Sequence, residues 1–154
     1  MFENGTRIRR ARITDIEAIC EIERASFLEP WDAETFVMTL DWYHEFFFVA
    51  ESDGRFAGFL AGAVDASDGG PYGHICNLAV APDLRCRGIA TKLVHRVERQ
   101  YAIEGAAGVV LEVRPSNTPA QRFYRQLGYQ QVFVIPSYYS NGEDAIVMMK
   151  EFRY

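Results

Sequence analysis

The chain has 154 residues, of which 49% are hydrophobic and 24% are charged, and its formal net charge is -5. This length and apolar content predict a single domain over residues 1–154. An acidic chain lacks the positive field of a nonspecific nucleic-acid binder, and no segment is apolar over the length that crosses a membrane. The odd number of cysteines argues against a disulfide framework, and their spacing is not that of metal ligands. Without a signal-peptide pattern, we expect a cytoplasmic protein with no metal, nucleic acid or membrane as its partner.

The first half of the chain predicts a strand, two helices and a β-hairpin. Thr14 or Asp15 caps the first helix, which the segment from Phe27 to Trp31 breaks, and Asp32 caps the second. The strands predicted here are Thr6 to Arg12, Phe46 to Glu51 and Phe56 to Val64, with a hairpin turn at Ser52-Asp53-Gly54 and a loop from Asp65 to Tyr72.

The second half alternates strands with helices. An apolar run ending at Val80 predicts a strand that leads into a helix, and Val109 to Val113 is a near-continuous apolar strand, typical of a sheet centre. Asn117 caps the next helix, which Gly128 ends. Two further strands are predicted, from Tyr129 to Ile135 and from Ala145 to Phe152. The order implies a mixed α/β sheet with helices on both faces, in which the two strands joined by a right-handed helical crossover are parallel neighbours.

The junction that follows Val80 has the features of an anion site. The first backbone N–H groups of a helix lack partners, and the helix dipole adds positive potential where they point. Gly88 and Ala90 are small enough to let a phosphate approach the main chain. Cationic side chains follow in the loop and helix, namely Arg85, Arg87, Lys92, Arg96 and Arg99. We interpret the junction as a pyrophosphate cradle for a small polyanion; an ordinary strand-to-helix loop is the alternative.

Two side chains are candidates for proton transfer. Glu112 is the only charge in its strand and shares a face with Val110, and a carboxylate on a dry sheet suits a base working near neutral pH. The alternative is a strand-end glutamate in water or paired with Arg114. Tyr124 lies on the apolar stripe of its helix, where it is either a core residue or a proton donor to a departing thiolate.

Other positions have two interpretations each. His74 is an alternative base or a partly exposed loop histidine. Asn117 is a helix cap alone, or a cap that also contacts a cofactor. The aromatic segments around Trp31 and Tyr138-Tyr139 either close the edges of the core or line a slot for an extended peptide.

Several motifs in order along the chain resemble the ribosomal-protein alanine N-acetyltransferases (RimI-like) of the GCN5-related N-acetyltransferase (GNAT) superfamily. These motifs are Pro30-Trp31, Asn77-Leu78-Ala79-Val80-x-Pro82, Arg85-x-x-Gly88-x-Ala90, Leu111-Glu112-Val113-Arg114-x-Ser116-Asn117, Phe123-Tyr124-x-x-Leu127-Gly128-Tyr129, and Tyr138-Tyr139 with Glu143-Asp144-Ala145. The resemblance spans nearly the whole chain.

The resemblance implies the GNAT fold, a central and mostly antiparallel sheet of about six to seven strands with one parallel central pair, flanked by about four helices. It also implies acetyl-CoA as cosubstrate, with Glu112 as general base and Tyr124 as general acid. The cofactor-binding residues that it implies are Leu78, Ala79, Val80, Arg85, Cys86, Arg87, Gly88, Ile89, Ala90, Thr91 and Asn117.

For the acceptor, the resemblance implies the N-terminal α-amino group of a protein, in that family a ribosomal one. The expected substrate-binding residues are Phe27, Pro30, Trp31, Tyr138 and Tyr139. Pro136-Ser137 stands where the family usually has Arg-Asn, and this departure puts the peptide specificity in question. Two alternatives therefore stay open: an acetyltransferase for a lysine side chain or small amine, and a non-catalytic acyl-CoA-binding sensor.

Overall fold

A computed structural model describes residues 5–67 and 70–153. Within these ranges the chain forms seven strands and four α-helices, with short 3-10 helices at Ile13–Asp15, His44–Phe46 and Pro82–Leu84. In chain order the elements are β1 (Thr6–Arg10), α1 (Ile16–Ser26), α2 (Ala33–Tyr43), β2 (Phe47–Ser52), β3 (Arg55–Ser67), β4 (Gly70–Val80), α3 (Ile89–Ile103), β5 (Gly108–Val113), α4 (Thr118–Gln126), β6 (Gln130–Ile135) and β7 (Ala145–Glu151). No helix among the described residues is long and apolar enough to cross a membrane.

The strands follow the order β1-β2-β3-β4-β5-β7-β6. Antiparallel pairing joins β1 to β2, β2 to β3, β5 to β7 and β6 to β7. The pair β4 and β5 is parallel, with Gly73 opposite Val109 and His74 opposite Val110. Parallel strands need a crossover connection, which α3 supplies. This mostly antiparallel sheet with one parallel pair confirms the predicted fold class.

The chain forms two compact units. The described part of the first unit comprises residues 5–63 and 75–100, and that of the second comprises the described residues of 64–74 and 101–153. In the first unit the core is aromatic: Phe36 packs edge-on against Phe59 at 5.3 Å between ring centroids, and both rings are fully buried. In the second unit, Val109, Leu111 and Met148 are buried on the paired strands β5 and β7. Each unit therefore has apolar side chains of its own to hold its strands in place.

The predicted caps at Asp32 and Asn117 and the hairpin turn are confirmed. The cap predicted at Thr14 or Asp15 is not, because Asp15 precedes α1 but its side chain makes no capping hydrogen bond to that helix and accepts from the amide of Arg12 instead. Asp32 accepts a hydrogen bond from the amide of Thr35 at 2.9 Å, and Asn117 accepts one from the amide of Ala120 at 3.2 Å. Asp53 and Gly54 have φ values of 50° and 80°, the pair of positive values that a two-residue type I′ hairpin turn requires.

The loop predicted from Asp65 to Tyr72 is wrong over most of its length. β3 continues to Ser67 and β4 begins at Gly70, while residues 68 and 69 lie outside the described residues. The Gly, Ser and Asp content of the segment favours a loop locally, but strand pairing depends on neighbours distant in sequence. One such neighbour is Ala107, whose amide donates to the carbonyl of Pro71 at 2.8 Å.

Candidate active site

A carboxylate–imidazole pair lies on one face of β4 and β5 in the second unit. Val110 and Glu112 share a face of β5, as the alternation of a strand requires, and His74 is the register partner of Val110 on β4. The Oε1 atom of Glu112 is 2.7 Å from Nε2 of His74. The two side chains are 17% and 21% exposed, so the pair remains open to solvent. When Glu112 is ionised, Nε2 must carry the shared proton, because a carboxylate only accepts.

His74 is fixed from several sides. Its Nδ1 atom lies 3.6 Å from Oδ2 of Asp65, and its carbonyl oxygen accepts a hydrogen bond from the hydroxyl of Tyr101 at 3.0 Å. The ring of Tyr101 lies directly against Gly73, where any Cβ would overlap it. Glycine is therefore required beside His74 to seat the tyrosine that holds the histidine backbone.

Tyr124 combines burial with an uncommitted hydroxyl. The residue is 7% exposed, and its ring packs edge-on against Phe123 at 5.0 Å and Tyr129 at 5.5 Å. Its hydroxyl makes no hydrogen bond with any residue that the structure describes. Burial raises the pKa of Tyr124 above the usual value. The phenol thus stays protonated at neutral pH, and its proton is available to an external group.

The loop that carries the paired tyrosines is organised by Glu143. This carboxylate accepts hydrogen bonds from Ser116 Oγ at 2.8 Å, Arg114 at 3.1 Å and Asn141 at 3.2 Å. These donors, Ser116 first, lower the pKa of Glu143 to about 2. The carbonyl of Glu143 also accepts from the amide of Tyr139 at 3.0 Å. The segment between β6 and β7 is thereby tied to the segment between β5 and α4.

Tyr139 is held by Arg114 as well, because the guanidinium lies 4.0 Å from the centre of the ring. Burial, with a smaller contribution from the charge of Glu112, raises the pKa of Tyr139 to about 12. The ring of Tyr138 stands edge-on to that of Tyr139 and is exposed. Asn117 is exposed too, and capping uses its Oδ1 atom, so its amide nitrogen faces solvent.

The predicted anion cradle lies in the first unit. Residues 85–88 are exposed, Cys86 and Gly88 have φ values of 63° and 79°, and α3 begins at the buried Ile89. The first helical hydrogen bond runs from the amide of Lys92 to the carbonyl of Gly88 at 3.1 Å. The amides of the first turn before Lys92 therefore have no acceptor within the helix. A non-glycine residue with positive φ next to such amides is typical of anion-binding turns.

Arg85 uses part of its guanidinium group for hydrogen bonds within the protein. Its Nε atom donates to the carbonyl of Val80 at 3.1 Å, and Nη2 donates to Ser26 Oγ at 3.1 Å. The side chain thus ties the last turn of α1 to the end of β4. The other Nη atom is the one left to contact a phosphate.

The end of β4 offers backbone groups to a ligand. β4 is an internal strand of the sheet, and its parallel pairing with β5 covers Gly73 and His74, which precede the segment 75–80. Gly58 of β3 approaches the backbone of Ala79 so closely that a Cβ would collide with its carbonyl. Backbone N–H and C=O groups on the side of a strand that lies beyond its paired residues can bond to an extended partner, as those of an edge strand do.

Glu23 was missed by the sequence analysis. It is 1% exposed, and both of its oxygens accept from Nδ2 of Asn77 at 2.8 Å, while Oε2 also accepts from the amide of Trp31 at 2.9 Å. Desolvation raises the pKa of Glu23. Its position seven residues after Ile16, on the buried stripe of α1, is the signal that could have revealed it. Glu23 anchors the Pro30-Trp31 segment to β4.

The other residues predicted to bind substrate lie in both units. Phe27 and Pro30 are exposed between α1 and α2, and the ring of Trp31 packs against Phe36 at 5.2 Å. Tyr138 and Tyr139 belong to the second unit. Their roles, like those of the cradle and of Glu112 and Tyr124, stay predictions.

Comparison with known proteins bears on the class of enzyme. The model of the acetyltransferase (GNAT) family matches residues 16–129. Over 145 residues the chain is 40% identical to an uncharacterized N-acetyltransferase of Methanocaldococcus jannaschii, with 94% of this chain and 90% of that protein covered. It is 36% identical over 151 residues to an N-alpha-acetyltransferase of Sulfurisphaera tokodaii, with 92% and 90% covered.

A solved structure agrees with this match. The ribosomal-protein-S18-alanine N-acetyltransferase of Escherichia coli superposes with a TM-score of 0.84 at 28% identity, covering 97% of this chain and 95% of that one. Fold and relatives together define an acetyl-CoA-dependent N-acetyltransferase. The chain belongs to the GNAT family of acetyltransferases, as its motifs predict.

Proposed function

We propose that this enzyme transfers the acetyl group of acetyl-CoA to the N-terminal α-amino group of a protein, in the manner of the ribosomal-protein-alanine N-acetyltransferases. The observation that carries the proposal is the likeness, over nearly the whole chain, to a relative named N-alpha-acetyltransferase. The structure named for acetylation of ribosomal protein S18 alanine supports the same acceptor class. The paired tyrosines and the Pro30-Trp31 segment are the side chains proposed to bind the peptide.

Deprotonation of the acceptor is the first chemical requirement. An α-ammonium group has a pKa of about 8, so most of it is protonated at neutral pH and cannot attack a thioester. Glu112 is the proposed base, and in its ionised form its Oε1 atom accepts a hydrogen bond from Nε2 of His74 at 2.7 Å, which holds the carboxylate in place. Removal of one proton leaves a neutral amine with its lone pair available.

Acyl transfer then follows by direct attack. The amine nitrogen forms a bond to the thioester carbonyl carbon, whose oxygen becomes an oxyanion, and a backbone N–H of the segment Leu78 to Val80 is its proposed donor. Glu112, having released its first proton to solvent, takes the extra proton from the nitrogen. The carbonyl then re-forms, the C–S bond breaks, and the sulfur leaves with the bonding electrons. Tyr124 donates a proton to that thiolate, since burial keeps its phenol protonated and no described residue claims the hydroxyl.

Cosubstrate binding is assigned to backbone groups, two arginines and an asparagine. The amides at the start of α3, with Arg87 and the uncommitted part of Arg85, are proposed to bind the pyrophosphate. The end of β4 beyond its pairing with β5 is proposed to bond the pantetheine arm, and the exposed amide of Asn117 to contact the same cosubstrate. These roles explain why residues 85–88 combine exposure with two positive φ values.

An acceptor survey tests the proposal. Release of CoA is measured with peptides that begin with Ala, Ser or Met, against polyamines and free lysine, and mass spectrometry locates the acetyl group. We expect α-acetylated peptides. Exclusive acetylation of polyamines or lysine would favour the small-amine alternative, and tight acetyl-CoA binding without any turnover would favour a sensor.

A variant of Glu112 tests its proposed role as the base. Glu112→Gln keeps the size of the side chain and removes its basicity, so kcat should fall by about 10²-fold or more. The Kd of acetyl-CoA should stay within about twofold, because the cradle lies on other residues. Glu151→Gln, at an exposed position of β7, is the matched control and should leave kcat unchanged. An unchanged kcat in Glu112→Gln would contradict its role as base.

A further inference from the structure

Two arginines from different elements of the first unit donate to one neutral oxygen. Nη2 of Arg10 on β1 lies 3.1 Å from Oε1 of Gln100, and Nη1 of Arg96 on α3 lies 3.3 Å from the same atom. Gln100 is buried. Arg99 follows Arg96 by three residues and therefore lies on the same side of the helix. Two guanidinium groups thus share a single amide oxygen, and a third positive charge lies on the same side of α3.

The charges in this arginine cluster, Arg10, Arg96 and Arg99, have no carboxylate partner among the residues that the structure describes. Arg9, which precedes Arg10 on β1 and points to the opposite face, differs in this respect. Arg9 forms ion pairs with Asp15 and with Glu51, each at 2.8 Å. One face of β1 is therefore neutralised by acidic side chains, and the other is not.

Packing keeps the cluster together in spite of its mutual repulsion. The guanidinium of Arg96 lies 4.5 Å from the centre of the ring of Phe48, which is fully buried. Phe48 is the register partner of Arg10 across β1 and β2. Burial, together with the charges of Arg99 and Arg10, lowers the pKa of Arg96. The side chains are thus preorganised around uncompensated positive charge.

We propose that Arg10, Arg96 and Arg99 form a binding site for a compact oxyanion, with phosphate or a small phosphate ester as the ligand class. Guanidinium groups present planar pairs of donors that match the oxygens of phosphate, and an anion here would relieve the repulsion among the arginines. A compact ligand is favoured over a nucleic acid for two reasons: the cluster contains three arginines, and the chain as a whole has a net charge of -5.

This site is separate from the proposed cradle for acetyl-CoA. Arg96 follows Ile89, the first residue of α3, by seven positions, which corresponds to about 10 Å along the helix axis. Arg96 and Arg99 follow the cradle along α3, but Arg96 contacts Gln100, a contact that Arg10 of β1 shares, and this places Arg96 apart from the cradle. The inference does not depend on which amine the enzyme acetylates.

Phosphate titration of the full chain tests the site. Saturating acetyl-CoA is present throughout, so that inorganic phosphate cannot report on the cradle, and binding is followed by calorimetry and by the shift in Tm. Arg10→Gln with Arg96→Gln should weaken phosphate binding at least tenfold. Arg7→Gln, on the other face of β1, is the matched control and should bind phosphate like the unaltered chain. A single-stranded RNA oligonucleotide is titrated in a second arm.

Each outcome decides for or against the site. Loss of phosphate binding in the double variant, with an unchanged Kd for acetyl-CoA, supports it. Equal phosphate binding in all three proteins, or none in the unaltered chain, overturns it. A weaker Kd for acetyl-CoA in the double variant would assign the arginines to the cosubstrate instead. If the unaltered chain binds RNA but not inorganic phosphate, and the double variant does not bind RNA, the proposal of a compact ligand is wrong.

Discussion

The ring of Tyr124 is packed among aromatic side chains, and no described residue binds its hydroxyl. Since no buried polar side-chain atom among the described residues lacks a partner, this hydroxyl is reachable from solvent. Tyr124→Phe keeps the ring contacts with Phe123 and Tyr129 and removes only this group. We therefore expect the free energy of unfolding to change by less than about 0.5 kcal/mol, because no hydrogen bond is lost. In contrast, kcat should fall by about 10²-fold if the hydroxyl protonates the departing thiolate. Denaturant titration and steady-state kinetics measure the two quantities.

Tyr101→Phe provides the control for the stability measurement. Its hydroxyl does have a partner, the carbonyl of His74 at 3.0 Å. Removing it should cost about 1 kcal/mol of unfolding free energy. If Tyr124→Phe is as destabilised as Tyr101→Phe and keeps its kcat, the hydroxyl is structural and the assignment as acid is wrong.

Some residues of the candidate site could be predicted from residue types and spacing, and others could not. Glu112 could be predicted because it is the lone charge in an apolar strand, and Tyr124 because it falls on a helical stripe. The contact of Glu112 with His74 joins residues 38 positions apart, and that of Glu23 with Asn77 joins residues 54 apart. Side-chain bonds of this kind depend on strand register and helix docking, which local patterns do not contain.

The segment between β6 and β7 depends on one carboxylate. Glu143 has its pKa lowered to about 2 by Ser116, Asn141 and Arg114, so its ionised form is favoured in the folded chain. A lowered pKa contributes stability above the unfolded pKa of about 4.3, and this contribution is lost as the pH falls toward 2. Glu143→Gln should therefore lower the Tm by about 1–3 °C at pH 7, the size expected for a partly exposed ion pair.

Thermal unfolding at a series of pH values measures this effect. The difference in Tm between the unaltered chain and Glu143→Gln should shrink steadily below about pH 4.3 and approach zero near pH 2. Glu21→Gln, on the exposed side of α1, should show no such trend. A difference that stays constant down to the lowest pH would show that Glu143 acts through packing rather than through its charge.

Most elements could be predicted from the sequence, and the errors have a common cause. The caps at Asp32 and Asn117 and the Asp53-Gly54 turn involve residues within a few positions of one another, so local chemistry decides them. The extension of β3 to Ser67 and the start of β4 at Gly70 were missed. Their Gly, Ser and Asp residues favour a loop by propensity, and only long-range pairing makes them strands.

At the scale of the whole molecule, three elements run unbroken through both compact units. They are β3 (Arg55–Ser67), β4 (Gly70–Val80) and α3 (Ile89–Ile103), and each contributes residues to the first unit and to the second. Unfolding one unit alone would end a helix and two strands partway along their length. The single domain predicted from length is consistent with such shared elements, and it makes a definite prediction about cooperativity.

Both units should unfold in one transition in urea. Trp31 and Trp42, the two tryptophans of the chain, belong to the first unit, so their fluorescence reports on it selectively. Amide hydrogen exchange along β5 and β7 reports on the second unit. We expect coincident midpoints, because α3 and β4 couple the two units cooperatively.

Acetyl-CoA at about 100 times its Kd should add about 2.7 kcal/mol to the free energy of unfolding. Both midpoints should therefore rise equally, by a urea concentration on the order of 1 M. Separate midpoints, or a rise confined to one probe, would show that the units unfold independently.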